Sequence, residues 1–460
     1  AVGTPEWLKV LLADGIGGGI TTVSTFIPPI FFLFLFLAML EDSGYMARAA
    51  FVMDRVMRAL GLPGKAFVPL IVGFGCNVPA IMATRTMDKA TDRIITIMMA
   101  PFMSCGARMP VYVLFATAFF PTNGQNLVFG IYVIGIIAAI ITGFLIKRVV
   151  LPGEVSAFVM EIPPYHIPTV KGVMMRTWDR LKAFLNRAGK VIVVICAVLG
   201  FLNSWGTDGS FGNEDSEKSV LSEIGYTIAP VLSPMGVTQE NWPAAVGVFT
   251  GIFAKEAVVG TLNSLYDQMA RDKNAEAAGE GAAAPAEEEA DEGWSLGAIL
   301  SEAGGTIVDN LADLGGAFTD PLGIAVDDLS DTASAAESQE VTVTTIDMMQ
   351  KLFGSQLAAF AYLMLVLLYM PCVAAIAAVY REAGAAWTLF LAAWTTVPGL
   401  PPATIVYRVG TFAQDPLYAT VAIVISLGLL AALLVFMRNY VKNNRGKGPK
   451  VIPIAVAQPS

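Results

Sequence analysis

The stretch Gly73–Ala80 reads GFGCNVPA and lies inside an otherwise apolar run, Phe67–Ala83. Its two glycines weaken a helix and Pro79 removes a backbone donor, so the run cannot form one regular membrane helix. At membrane depth, broken backbone is tolerated only where it is buried in protein or lines a water-filled cavity. The thiol of Cys76 and the carboxamide of Asn77 lie at this break and are candidate ligands. We interpret the stretch as half of a transport site.

The composition is that of a polytopic helical membrane protein. Hydrophobic residues make up 55% of the chain and charged residues only 15%, far less charge than a soluble domain carries. The net charge is −9, and the basic residues lie at helix ends instead of forming one patch, which argues against nucleic-acid binding. Four cysteines are too few for a disulfide framework. The opening AVGTPEWLKV has no initiating methionine or charged n-region, so we expect no signal peptide and a fragment of a longer chain.

Apolar runs about as long as the roughly 20 residues that cross a bilayer recur along the chain. The predicted membrane segments are Ile20–Leu40, Phe67–Ala83, Ile94–Phe120, Asn126–Ile146, Lys190–Leu202, Pro243–Leu262, Leu357–Tyr380, Ala385–Val409 and Leu417–Met437. Breaks are expected within Ala100–Pro110, at Pro371–Cys372 and at the VPGLPP of Ala385–Val409. Ser43–Leu60 is too polar to span, and we expect a helix that lies at the interface or packs beneath the bundle. Val170–Arg187 is expected to form a basic amphipathic helix in the polar connection.

Lysine and arginine near helix ends mark the cytoplasmic side of a membrane protein. This rule places the Arg85–Arg93 turn, the Lys147–Lys190 connection, Arg381 and the basic C-terminal tail inside. The segments of the second half then run opposite to those of the first half. Such an arrangement is typical of an inverted-repeat transporter with its site near the middle of the membrane.

Local sequence supports this pairing of the halves. VPLIVGFGC resembles WPAAVGVFTG, with Pro69 over Pro243 and Gly73 over Gly247. MAPFMSC, which ends at Cys105, pairs with the YMPC that ends at Cys372. The prediction is therefore an all-α polytopic membrane protein built as an inverted repeat with broken and re-entrant helices.

The same reading divides the chain into seven parts. They are a first repeat (1–148), a cytoplasmic connection with an amphipathic helix (149–189), the start of the second repeat (190–266), an acidic, disordered extracytoplasmic insertion (267–350), the rest of the second repeat (351–410), a final membrane helix (411–440) and a basic cytoplasmic tail (441–460).

The cysteines at the breaks suggest a metal as the transported solute. Thiolates suit soft or borderline ions such as Fe(II), Cu(I) and Zn(II), and they suit Na⁺, Mg²⁺ and Ca²⁺ poorly. Cys76, Cys105 and Cys372 are the predicted metal ligands, with Asn77 and Met103 as weaker partners. The alternative is that each is only a small hydrophobic residue, which is the interpretation we prefer for Cys196.

Polar residues complete the predicted transport path. Ser104 lies beside Cys105, and Lys255 and Glu256 are ionisable residues inside an apolar run. Such residues indicate function by default, although a structural ion pair is an equal alternative. Arg108, in the second break, is treated in the same way, and His166 is not expected to bind metal. No stretch of the chain fits the phosphate-binding pattern G-x-x-x-x-G-K-[ST].

Four motifs together closely resemble FeoB, the family of prokaryotic ferrous iron transporters. They are LEDSGYMARAAFVMDR (Leu40–Arg55), GLPGKAFVPLIVGFGCNVPA (Gly61–Ala80), APFMSCGAR (Ala100–Arg108) and FAKEAVVGTLNSLY (Phe253–Tyr266). The resemblance covers nearly the whole chain except the acidic insertion.

The resemblance implies an inner-membrane protein that imports Fe²⁺ through two gate domains. It also implies a G domain that binds GTP with Mg²⁺, and this chain lacks both that domain and the first membrane helix of the family. Cys76 and Cys105 match the proposed iron ligands of the family, and Cys372 matches a further family cysteine. Small Feo accessory proteins and a homo-oligomer are implied partners, besides the lipid bilayer and a G domain in cis or on another chain.

The sequence thus predicts the membrane permease part of a ferrous iron importer, which is not an enzyme, with a cytoplasmic C-terminus. Two rivals stay open. One is a transporter of the same fold for an organic solute such as a nucleoside, and the other is a membrane scaffold or sensor that binds metal without transporting it.

Overall fold

A computed structural model describes residue 8 and residues 10–151, 164–278, 341–413 and 415–443. These residues are almost entirely helical, and their only β-bridges are the isolated pairs Trp205–Phe211 and Gly206–Ser219. Within the described residues, six helices are long and apolar enough to cross a membrane. They are Gly15–Asp42, Ala90–Phe119, Gly124–Val150, Gln356–Ala383, Ala385–Gly410 and Pro416–Phe436. The prediction of an all-α polytopic membrane protein is confirmed.

The first half contains seven α-helices. They are α1 (Gly18–Asp42), α2 (Tyr45–Ala59), α3 (Phe67–Gly75), α4 (Asn77–Ala83), α5 (Ala90–Met99), α6 (Met109–Phe119) and α7 (Gly124–Leu145). Pro28 and Pro29 lie inside α1 without interrupting it. The chain bends by 105° between α2 and the segment Gly64–Gly75. The buried Asp54 carboxylate fixes this corner, because it accepts a 2.9 Å hydrogen bond from the Gly64 N–H.

Within the described residues, the second half contains ten α-helices. They are α8 (Val170–Phe184), α9 (Lys190–Ser204), α10 (Val220–Leu232), α11 (Trp242–Phe253), α12 (Ala257–Ala278), α13 (Val343–Phe353), α14 (Gln356–Leu368), α15 (Val373–Ala383), α16 (Ala385–Gly410) and α17 (Pro416–Asn443). A π-helical turn, Leu185–Gly189, joins α8 to α9 without a gap. Arg180 of α8 pairs with Glu41 at the end of α1 at 2.6 Å, so the amphipathic helix is held against the first membrane helix.

Three segments differ from the sequence prediction. The expected break at VPGLPP is wrong: α16 continues through Pro398, Pro401 and Pro402. Proline is tolerated in a membrane helix when neighbouring helices compensate for the lost backbone bond, and α16 packs along both α14 and α17. The sequence reading also passed over α10, whose start is capped by the Ser219 hydroxyl.

The predicted acidic insertion, 267–350, is bordered by longer helices than expected. The helix α12 extends to Ala278, and α13 begins at Val343. Asp267 of α12 accepts hydrogen bonds from Thr342 and Thr344, which ties the two ends together. The rest of the predicted insertion and the tail beyond Asn443 lie outside the described residues.

Four broken helix pairs form the centre of the molecule. The pairs are α3/α4, α5/α6, α11/α12 and α14/α15. The helices that follow the breaks then pack across the two halves, α4 against α15 and α6 against α12. The four breaks predicted from glycine, proline and cysteine in matching positions are therefore confirmed, and they bring the two halves together at the predicted site.

Candidate functional site

The first break is one residue long and is centred on Cys76. Its backbone is extended (φ −155°, ψ 131°), while its N–H still bonds the carbonyl of Val72 at 3.0 Å. The Cys76 carbonyl in turn accepts from the N–H of Ala80 at 3.3 Å. Both neighbouring helices thus keep a hydrogen bond to this residue, and the kink leaves its half-buried thiol at the helix junction.

Asn77 joins the first break to the second. With the side-chain amide oriented so that its nitrogen faces the carbonyls, Nδ2 donates to Gly73 O at 3.3 Å and to Ala100 O at 2.9 Å. The residue is 5% exposed, so these bonds satisfy a group that would be costly to bury alone. The sequence reading placed Asn77 in the transport path; here its amide holds two backbone segments in place.

The second break separates two 3₁₀ turns and carries Met103, Ser104 and Cys105 in extended backbone. The buried Ser104 hydroxyl lies 3.1 Å from the hydroxyl of Tyr112. Arg108 is 1% exposed, and its Nη1 donates to the carbonyl of Pro101 at 3.0 Å. Polar side chains therefore bind the loop back onto its own helices and fix the position of the Cys105 thiol.

The third break contains the two ionisable residues. Ala254 repeats the backbone of Cys76, with φ −143°, ψ 122° and a 3.1 Å bond from its N–H to Thr250 O. Lys255 follows and is 2% exposed, with Nζ 3.0 Å from the centre of the Tyr369 ring. Glu256 is half-buried where α12 begins. Within the described residues, Lys255 and Glu256 do not form an ion pair, and the Lys255 ammonium has no hydrogen-bond acceptor.

The geometry of the breaks also changes which glycine of the second half corresponds to Gly73. Gly251 precedes Ala254 by three residues, as Gly73 precedes Cys76, so Gly251 is the structural counterpart of Gly73 in place of Gly247. A Cβ on Gly73 would lie 3.1 Å from Met103 Cβ, and a Cβ on Gly251 would overlap the Tyr369 hydroxyl. In each half, a glycine lets the first broken helix approach the second broken segment.

The fourth break lies between α14 and α15 and ends at Cys372, where the last half-helix begins. The Cys372 carbonyl accepts from the N–H groups of Ala375 at 2.9 Å and Ile376 at 3.1 Å, which starts the helix at the cysteine. Three of the four half-helices therefore begin at or near a predicted ligand, and α16 closes on this break because Gly399 lies against Tyr369.

The breaks bring the predicted site residues into one neighbourhood. Cys76, Cys105 and Cys372 lie close enough that a charge on one of them would affect the others, and the same holds for Cys372 with Lys255 and Glu256. Among the residues described, however, no three His, Cys, Asp or Glu side chains are arranged to hold a metal ion as they stand. The arrangement is a loose group of thiols with one carboxylate and buried cations, open to rearrangement around an ion.

Two residues that were not expected to bind metal do not lie at a break. Cys196 packs in α9 against Gly19 of α1, where a Cβ on the glycine would lie 3.2 Å from its own. His166 is exposed in the connection before α8. The sequence reading missed Tyr369, although its place directly before MPC in the YMPC motif was a usable signal.

The sequence was compared with known proteins. It matches the family described as "Gate: Nucleoside recognition" over residues 23–119 and 185–386, and "Ferrous iron transport protein B C terminus" over residues 128–180. It is 44% identical to the Fe(2+) transporter FeoB of Salmonella typhi over 435 residues, which is 95% of this chain and 54% of that protein. The FeoB of Legionella pneumophila strain Paris is 45% identical, over 94% of this chain and 55% of its own length.

The chain thus spans about half the length of the curated relatives that it matches. No solved structure matches it. The Gate match alone covers more than half of the chain and contains all four breaks and all three cysteines found at them. This chain belongs to the FeoB family of Gate-domain membrane proteins.

Proposed function

We propose that this chain is the membrane permease part of a ferrous iron importer in a prokaryotic inner membrane. The observation that supports the proposal is the position of Cys76, Cys105 and Cys372, each of which immediately precedes a helical segment at a break, in both halves of the chain. Thiolates favour Fe(II) over the abundant hard cations Na⁺, Mg²⁺ and Ca²⁺. The names of the relatives, Fe(2+) transporter FeoB, support the same substrate.

The three cysteines act as successive and transient ligands. A conducted ion must leave its site, so a closed cage of thiolates would trap it. The lack of a ready three-ligand group among the described residues fits this requirement. Cys76 and Cys105 receive Fe(II) from one side, and Cys372 shares it as the half-helices move.

Lys255 acts as a tethered counter-charge for this pathway. Its side-chain nitrogen lies 3.0 Å from the centre of the Tyr369 ring, a contact that stabilises a desolvated cation. Fe(II) and Lys255 compete for the same negative charge. Lys255 therefore keeps the empty site from binding tightly and helps to release the ion.

Orientation and energy coupling belong to the same proposal. By the positive-inside rule, the basic residues at the helix ends favour a cytoplasmic C-terminus and opposite directions for the two halves. GTP and Mg²⁺ act through a G domain in the part of the relatives that this chain does not match. Small Feo accessory proteins and a homo-oligomer are further proposed partners, and the protein works as a transporter instead of an enzyme.

The test is Fe(II) uptake by liposomes that contain the protein, or by cells without other iron importers. Cys76→Ser, Cys105→Ser and Cys372→Ser each lower uptake at least about tenfold, whereas Cys196→Ser, the matched control in α9, keeps it. Serine retains the size of the side chain but is a poor ligand for a borderline metal. If Cys76→Ser and Cys105→Ser move Fe(II) as fast as the parent, the thiolate pathway is wrong.

A nucleoside is the second candidate substrate, because the matched Gate family is described by nucleoside recognition. Competition experiments separate the two. Excess adenosine or uridine that abolishes uptake of a labelled nucleoside, with no effect of Fe(II), supports this rival. Retention of Fe(II) without any flux supports a metal-binding sensor instead.

A further inference from the structure

Glu382 is a buried carboxylate that joins the two halves of the molecule. It lies near the end of α15, and its side chain is 2% exposed. Two arginines of the first half bind it. Arg85 reaches Oε1 with Nε at 2.7 Å and Nη2 at 2.5 Å, and Arg93 donates from Nη2 to Oε2.

Arg85 and Glu382 lie at the far ends of the two half-helices that lead away from the cysteines, and Arg93 joins them from α5. The helix α4 begins after Cys76 and the helix α15 begins after Cys372, and the two pack against each other. Arg85 is in the turn that follows α4. Ten residues of helix separate Cys372 from Glu382, or about 15 Å along the axis. These two helices therefore run side by side from the cysteines to the cluster of Arg85, Arg93 and Glu382.

The opposite pair of half-helices, α6 and α12, has no such charge at the end of α6. There, neutral side chains bind the last carbonyls of the helix: Gln350 Nε2 donates to Ala118 O at 2.6 Å, and Gln356 Nε2 donates to Phe119 O at 2.8 Å. The cluster of Arg85, Arg93 and Glu382 therefore distinguishes one end of the pathway from the other among the described residues.

The cluster depends on Glu382, because this residue supplies the negative charge that both arginines bind. Two guanidinium groups share one carboxylate, and Arg93 is itself only 6% exposed. Removing one partner of a buried ion pair leaves an uncompensated charge, which is far more costly than the loss of an exposed pair. Without the carboxylate, Arg85 and Arg93 repel each other, and α15 loses its charged bonds to the first half.

We propose that Arg85, Arg93 and Glu382 form a charge latch that holds α15 against α4 and closes one end of the path from the break cysteines. Opening of this end requires that α15 move away from the two arginines. The latch depends on the proposed function only in that iron transport would explain why it exists. Its effect on access to the thiols does not depend on iron.

The experiment measures access to the cysteines in membrane vesicles of both orientations. A membrane-impermeant maleimide is applied without iron, and the labelling rate of each cysteine is read by mass spectrometry of its peptide. Glu382→Gln raises the rates of Cys76 and Cys372 about tenfold or more, which corresponds to about 1.4 kcal/mol, from one face of the membrane only. Cys196 in the same sample keeps its rate.

Asp42→Asn is the matched control, because it breaks an ion pair between α1 and Arg176 of α8 that does not touch α4 or α15. It leaves all labelling rates unchanged. Equal increases from both faces would mean general loosening and would overturn the latch, as would unchanged rates in Glu382→Gln.

If Glu382→Gln does not fold, Arg85→Gln provides the second test. Its guanidinium is 43% exposed and Arg93 stays on the carboxylate, so the protein keeps the buried half of the cluster. A smaller increase in Cys372 labelling, of about threefold, is expected from the same single face, as for the loss of a partly exposed pair. Unchanged labelling in this folded variant overturns the latch. A protein that transports no iron but shows these increases would refute the proposed substrate and leave the latch standing.

Discussion

The Lys255 ammonium nitrogen lies 3.0 Å from the centre of the Tyr369 ring, and both residues are only 2% exposed. A cation over an aromatic face replaces part of its lost hydration through the charge distribution of the ring. Neither Nζ nor the Tyr369 hydroxyl has a hydrogen-bond partner within the described residues. The contact with the ring is therefore the main interaction that offsets the lost hydration of Lys255. The pair links the third break to the fourth.

Replacing Lys255 by methionine is expected to raise the stability of the protein and to lower its transport rate. The variant keeps the side-chain volume and removes a buried, unpaired charge, so the melting temperature in detergent rises. Exchange of a buried charge for a packed apolar group is often stabilising by about 1–4 kcal/mol. Fe(II) binding becomes tighter and uptake falls, because nothing competes for the ligands. Thermal unfolding, Fe(II) titration and uptake measure the three effects, and Lys65→Met, in an exposed pair with Asp88, is the control. Faster uptake with weaker binding would contradict the counter-charge role.

The glycines at the close contacts can be tested as a pair. Gly251→Ala places a methyl group on the Tyr369 hydroxyl and is expected to abolish uptake, while Gly73→Ala, with 3.1 Å to Met103, lowers it partially. Overpacking of a tight interior typically costs about 1–3 kcal/mol. Gly260→Ala, in α12, meets nothing within 4 Å and should stabilise its helix slightly. Uptake and thermal stability of the purified variants measure this order of effects. Equal losses in all three variants would refute the role of the close contacts.

Asn77→Asp tests the bridge between the first two breaks. Aspartate replaces a donor with an acceptor that faces the carbonyls of Gly73 and Ala100, so stability falls. An unsatisfied buried polar group costs about 1–3 kcal/mol, more when it is charged. Asn123→Asp, at an exposed position, is the control. If the two variants unfold at the same denaturant concentration, the Asn77 bridge contributes nothing.

Metal protection tests the thiols directly. Fe(II) under anaerobic conditions should slow the alkylation of Cys76, Cys105 and Cys372, whereas Mg²⁺ should not, because hard cations bind thiolates poorly. Cys196 serves as the internal control, and a chelator should restore the original rates. Quantitative mass spectrometry of the alkylated peptides gives the result. Protection of Cys196 to the same degree would show reaction with the reagent instead of a site.

The four central breaks could be predicted from the sequence because the residues that cause them are local. Pro79, Pro371 and the glycines beside Cys76 and Cys105 change the backbone wherever they occur in a membrane helix. The position of each predicted ligand at a break followed from the same residues. The expectation that the cysteines of the two halves share one site depended on the pairing of the halves, which charge and local similarity indicated.

What the sequence did not reveal depends on contacts between distant segments. The role of Glu382 arises from Arg85 and Arg93, which are nearly 300 residues away. The counterpart of Gly73 shifted by one helical turn, from Gly247 to Gly251, because local similarity does not record where a helix ends. Tyr369 became a candidate only when Lys255 was found over its ring.

The prolines of α16 have a mechanical consequence. Proline supplies no amide hydrogen, so the carbonyls of Trp394, Val397 and Pro398 lose their partners in the helix ladder. These carbonyls lie in the turn before Gly399, the residue that touches the backbone of Tyr369. The helix is continuous, but its bending stiffness is lowest where it supports the fourth break. The helix α16 can therefore bend beside that break while its two ends stay in place.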